Sequence, residues 1–155
     1  MGSRHRRRHR VVVTAALFAA AVNGPLAAEE SLTTIKGLKC TFPVYTAAVW
    51  EKGTPRAETK RADPLAVEVD EIDLDAGTAR QGTASVTAIL TASTLHVLER
   101  TMLGSLTVLS VFAEQTPRGT LRAVRSRHDY IQMSVPGFVA EPTVSQHYGE
   151  CEAIR

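Results

Sequence analysis

Five side chains between residues 99 and 128 carry chemistry that could meet in one place: Glu99, Arg122, Arg125, Arg127 and His128. Guanidinium forks match the geometry of carboxylate and phosphate, so an arginine cluster of this kind suits an anionic head group. In strict β alternation Arg125 and Arg127 share a face with Leu121 and Ala123, whereas Arg122 lies opposite with Val124 and His128. Glu99 falls on the face of Leu95 and Val97, which points it inward. A carboxylate taken out of water needs a partner, and Arg125 or Arg127 across a barrel would supply one. The competing reading of the arginines, Arg118 included, is a solvated outer wall paired with the acidic stretch from Glu68 to Asp75.

Other reactive combinations are incomplete. His96, His128 and His147 match the number of histidines in some zinc sites, but no two stand at ligand spacing, and no metal is expected. Asp73, Asp75 and Gly77 resemble part of a calcium loop without its run of oxygen ligands or its closing glutamate. Ser126, His128 and Asp129 are close in sequence, yet residues two apart on a strand lie about 7 Å apart on one face. No Gly-x-Ser-x-Gly elbow occurs. No catalytic residue and no cofactor is assigned on these grounds.

The elements that must hold the cluster begin after a leader. Arg4, Arg6, Arg7, Arg8 and Arg10 precede an apolar run from Val11 to Val22 and the small residues Leu26-Ala27-Ala28. This is the order of a secretory signal peptide, too short in its apolar part to span a bilayer. Residues 1–28 are therefore expected to be cleaved, after Ala28 or, second, after Ala27, leaving 29–155 as a single periplasmic or secreted domain. The whole chain has 18 basic and 16 acidic side chains, but the leader takes five arginines and no acid, so the mature part is net negative. The basic balance belongs to the leader, and a nucleic-acid partner is not expected. No transmembrane segment follows it.

The mature chain reads as short strands and turns. Ile35 to Phe42 and Tyr45 to Trp50 are extended, with a kink at Pro43, and Glu29 to Thr34 reads as a mobile arm. Glu51 to Pro64 carries seven charged side chains and nothing apolar larger than alanine, and reads as a solvated loop. Ala66 to Leu74 alternates but slips one residue at Asp70 and Glu71, the mark of a β-bulge. Asp75 to Thr78 has turn chemistry, Ala84 to Thr91 has period two, and Leu95 to Met102 reads as a strand. Gly104 to His128 forms a hairpin turning at Pro117 to Gly119. The apolar stretch of residues 130–139 suggests an irregular arm or lid, and Ser145 to Cys151 a short last strand.

Seven or eight strands without a convincing helix predict an all-β domain, an antiparallel meander barrel or sandwich. The two cysteines, Cys40 and Cys151, are most simply a disulfide in an exported chain, with free thiols or an intermolecular bridge as alternatives. Such a bridge would join the first strand to the last, as closure of a meander requires.

The strings Leu38-Lys39-Cys40-Thr41-Phe42, Ser126-Arg127-His128 and Ser145-Gln-His-Tyr-Gly-Glu-Cys151 resemble those of small exported proteobacterial proteins of unassigned function. In strand count and end-to-end bridge the chain is similar to lipocalin- and avidin-type barrels. The lipocalin Gly-x-Trp is not met at Gly37-Leu38-Lys39. Three functions are carried forward. The first is a non-enzymatic barrel binding a small amphiphilic or anionic ligand through Glu99, Arg122, Arg125, Arg127 and His128. The second is an envelope protein-interaction module that docks through the 130–139 arm, and the third an enzyme using His128, Glu99 and an arginine.

Overall fold

Period-two strands separated by tight turns have few ways to bury one face, and closing the sheet on itself removes its edges as well. The computed structural model, which describes residues 32–102, 104–129 and 142–155, takes that solution: an antiparallel barrel in which eight consecutive strands are neighbours and the last pairs with the first. The strands are β1 (Gly37–Glu51), β2 (Thr54–Asp73), β3 (Thr78–Gln81), β4 (Ala84–Thr91), β5 (Thr94–Arg100), β6 (Leu106–Gln115), β7 (Leu121–Asp129) and β8 (Thr143–Ile154). Gly77 and Gly119, with φ of 68° and 80°, take the left-handed turn conformation that a side chain disfavours. The expected bulge is present: Glu71 has φ 50° and the β2–β3 register slips between Asp70 and Asp73.

The barrel has two unlike ends. At the basal end lie the turns after β2, β4 and β6, and here the interior is hydrocarbon, with Leu38, Val69, Ile72, Leu95, Val111 and Leu121 all buried. Leu32 and Ile35 join this cluster; their segment is tied beneath the barrel by hydrogen bonds from Lys36 N to Ile154 O and from Ile72 N to Lys36 O. The expected mobile arm is thus corrected from residue 32 onward, because two large aliphatic side chains seal the basal end. At the distal end lie the turns after β1, β3 and β5, and the inward residues become polar.

Cys40 and Cys151 face each other as directly paired residues of β1 and β8, with Cα atoms 4.0 Å apart, and form the disulfide that links the first and last strands. Just beyond it, Phe42 and Pro43 oppose the single residue Gly149, so the β1–β8 register shifts between Thr41 and Val44. The extra residue changes which positions point inward. Before it Leu38, Cys40 and Phe42 are buried, and after it Tyr45 becomes the partner of His147.

Four further expectations are corrected. The kinked pair of extended pieces is one strand, β1, because a bulge absorbs Pro43 without ending the ladder. Residues 54–64 are not a loop but the first half of β2, paired with β1 as a long hairpin from Glu51↔Thr54 to Val44↔Arg61. Their charge reflects exposure on the hairpin rather than irregular backbone. The last strand begins at Thr143, earlier than expected. The arginine strand β7 pairs with β6 and β8, so the acidic Glu68 to Asp75 stretch is not its neighbour. Residues 1–31, which include the expected leader, and most of the expected arm at 130–139 lie outside the described residues. No helix among the described residues is long and apolar enough to cross a membrane.

Candidate functional site

Alternation along β7 runs without interruption from Leu121 to Asp129, and this alone decides which arginines enter the barrel. Leu121 and Ala123 are buried in the core, so Arg125, Arg127 and Asp129 follow on the inward face while Arg122 and His128 face out. Ladder partners confirm the placement: Arg125 stands between Leu109 of β6 and His147 of β8, and Arg127 between Thr107 and Ser145. Glu99 is opposite Thr107, as the inward face of Leu95 and Val97 requires. The five predicted site residues are therefore divided, with Glu99, Arg125 and Arg127 on the inward-facing side toward the distal end, Arg127 exposed at its rim, and Arg122 and His128 on the outer side.

Arg125 is the least satisfied of these. It is half-buried, its Nε is shielded from water without a hydrogen-bond partner, and it makes no ion pair within 4.0 Å among the described residues. Burial draws its pKa down from the ordinary guanidinium value; the charge of Glu99 opposes that shift, and that of Arg127 adds to it. An arginine side chain nonetheless stays protonated. Glu99 accepts a hydrogen bond of 3.4 Å from Gln81 Nε2 on β3, and nothing closer among the described residues.

Arg127 is occupied. Its Nε donates to Asp129 Oδ1 at 3.0 Å and lies 2.9 Å from Oδ2. A hydrogen bond from the buried Ser105 hydroxyl is the largest cause holding the Asp129 carboxyl below its usual value; burial opposes it, and Arg127 reinforces it. On the other side of Arg125 the His147 ring stacks on Tyr45, with centroids 5.5 Å apart and planes 22° apart, and meets Phe42 edge-on at 6.5 Å. Burial, and then the charge of Arg125, lowers the His147 pKa, so the ring is neutral near pH 7.

This arrangement can do two things chemically. A half-buried guanidinium with a shielded, unused Nε donor can hold an acceptor, and the neutral Tyr45–His147 stack beside it offers a flat, weakly polar surface. Tyr45 is not marked as a site residue by the sequence, and His147 figures there only among three widely spaced histidines. The bulge at Pro43 hides the inward parity of Tyr45, although the Tyr148-Gly149-Glu150-Cys151 alternation would have set His147 inward with Cys151.

The outer residues make a different surface. Arg122 pairs with Glu114 of β6 at 3.0 Å, and the two border a cleft of about 380 Å³ with Phe112, Val124 and Tyr148. His128 is exposed on the outer wall between Leu106 and Val144. His96 is also on that wall, its ring held between Thr91 Oγ1 at 3.1 Å and Ser110 Oγ at 3.0 Å. The three histidines are thus apart, and no group of three metal-ligating side chains occurs among the described residues.

No protein-family model, no curated protein and no solved structure matches this chain.

Proposed function

We propose that this β-barrel is an exported binding protein, not an enzyme, that holds a small anionic or amphiphilic ligand at the distal end of its interior. The observation that carries the reading is Arg125, an inward guanidinium whose Nε is buried and has no hydrogen-bond partner among the described residues. Leaving such a group unmatched costs about 1–3 kcal/mol, a penalty that a bound acceptor removes. Glu99, Arg127 and the Tyr45–His147 stack border it. Arg122 and His128, part of the expected binding set, belong to the outer wall and are not needed for this role.

The test is a thermal-shift and native mass spectrometry screen of short-chain and aromatic carboxylates against the mature protein. Binding by wild type, lost in Arg125→Gln and kept in Arg122→Gln, is the expected result. Equal binding by both variants, or none by wild type across the panel, overturns the reading. The alternative, a protein-interaction module, draws on the exposed Phe112 and Tyr148 beside the outer cleft rather than on the 130–139 arm. Loss of a co-purifying envelope partner in Phe112→Ser, with carboxylate binding absent, would favour it.

A further inference from the structure

The charges at the distal end nearly cancel: Arg125 and Arg127 are matched by Glu99 and Asp129, and the His147 ring between Arg125 and Tyr45 adds none near pH 7. Arg127 and Asp129 are spent on each other at 2.9 Å. What remains is an unusual pair. Arg125 and Glu99 lie on β7 and β5, with only β6 between them, and they attract each other without meeting in an ion pair. Strands two apart in a sheet are separated by about 10 Å. With no ion pair joining them among the described residues, the Arg125 donors and the Glu99 oxygens can each take a partner from one small group bearing both an acceptor and a donor.

A plain anion suits this pair poorly. Its charge would neutralise Arg125 but would sit beside Glu99 with no cation to offset the second carboxylate, and like charges at short range in a partly desolvated site are costly. A ligand with a carboxylate and an ammonium a few ångströms apart satisfies both sides. Its carboxylate accepts from the Arg125 fork, its ammonium donates to the Glu99 oxygens, and the site stays neutral. The Tyr45–His147 stack next to Arg125 then offers its face to a planar side chain.

We infer that the ligand is a zwitterion of the α-amino-acid type, held between Arg125 and Glu99, with preference for an aromatic side chain. The inference rests on the distal end being a binding site and specifies what it selects. Calorimetric titration of the mature protein with L-phenylalanine, 3-phenylpropionate and 2-phenylethylamine separates the two. The expected result is that phenylalanine binds at least tenfold more tightly than either single-charge analogue. Glu99→Gln should abolish that preference while retaining 3-phenylpropionate, and Arg125→Gln should lose phenylalanine and 3-phenylpropionate alike. If 3-phenylpropionate binds wild type as tightly as phenylalanine, or Glu99→Gln leaves the ratio unchanged, the zwitterion is overturned and the anion-binding reading stands. If none of the three binds, both fall.

Discussion

Gly149 shows how closely backbone sets the site. A methyl group there would overlap the Thr41 carbonyl oxygen and lie 2.8 Å from Phe42 Cα, because the bulged turn of β1 is pressed against β8 at this residue. Both obstacles are backbone and cannot rotate aside. Gly149→Ala should cost at least about 2 kcal/mol by urea denaturation. Gly119→Ala, where nothing lies within 4 Å and only the φ of 80° is unfavourable, should cost about 1 kcal/mol. Equal losses would mean that β1 and β8 can separate at the bulge. His147 supplies a second residue-level expectation, in pH. Its folded pKa is depressed, so below about pH 6.5 the unfolded chain binds the proton first. Stability from the neutral ring is complete above that value and is lost as pH falls toward the folded pKa. Asp129, also depressed, is present above 3.8 and is lost only in stronger acid. The urea midpoint should therefore fall between pH 7 and 5 in wild type and fall less in His147→Gln; identical profiles would remove His147 from the buried wall. Much of this scale is legible in sequence where alternation is unbroken. Leu121 and Ala123 fix the inward side of Arg125 and Arg127 without any knowledge of their neighbours. Tyr45 is not legible, because one extra residue at Pro43 reverses its side.

At the level of elements, pairing overrides composition. Thr54 to Pro64 reads as a loop because every apolar residue is small and the charges are dense, but a strand needs a ladder partner rather than a buried face. β1 provides that partner, with Arg56 opposite Val49 and Lys60 opposite Tyr45. Glu58 and Lys60 add a surface ion pair of 2.7 Å, of little consequence for stability. The pairing of β1 with β8 ends at Ala48, so the hairpin beyond it extends past the closed part of the barrel. Pro55, Lys60, Arg61 and Pro64 along β2 are the residues that discourage further strand addition there. Replacing residues 49–56 with Asn-Gly joins Ala48 to Ala57, which are already paired, through a two-residue hairpin turn. The unfolding free energy from urea denaturation should stay within about 0.5 kcal/mol of wild type. A larger loss would show that the exposed hairpin packs on the barrel. The bulge at Asp70 and Glu71 and the β6–β7 hairpin were legible because each leaves a mark within a few residues, a slip in alternation or a Pro-Arg-Gly turn. The β1–β2 pairing has no such mark.

For the whole molecule the decisive feature is the seam between the first and last strands. Seven of the eight strand contacts join sequence neighbours, and such contacts form locally with small loop-closure cost. The eighth joins β1 to β8 across nearly the whole domain, and it must form before the core, including Leu38 and Phe42, is enclosed. Cys40 and Cys151 cross that seam with a sequence separation of 111. On the chain-entropy account, cross-linking a loop of this length removes about 4–5 kcal/mol of disorder from the unfolded state. The folded state loses little when the bridge is absent, since the ladder continues on both sides from Gly37↔Ile154 to Ala48↔Val144 and Leu32 and Ile35 still fill the basal end. A Cys40→Ala, Cys151→Ala variant should therefore keep the wild-type far-ultraviolet circular dichroism, while its unfolding free energy in urea drops by several kcal/mol. It should also lose protection from hydrogen exchange first along β1 and β8, with β4 to β6 affected least. Uniform loss of protection would mean that the barrel opens as one unit. A loss of unfolding free energy under about 1 kcal/mol would mean that strand pairing and the aliphatic base close the seam without help, against the unfolded-state mechanism. The distal site gives an independent readout, because Arg125 and His147 lie on strands β7 and β8 and Glu99 on β5. If the open seam lets β8 drift, the Tyr45–His147 stack should loosen before Glu99 moves, in step with exchange along β8.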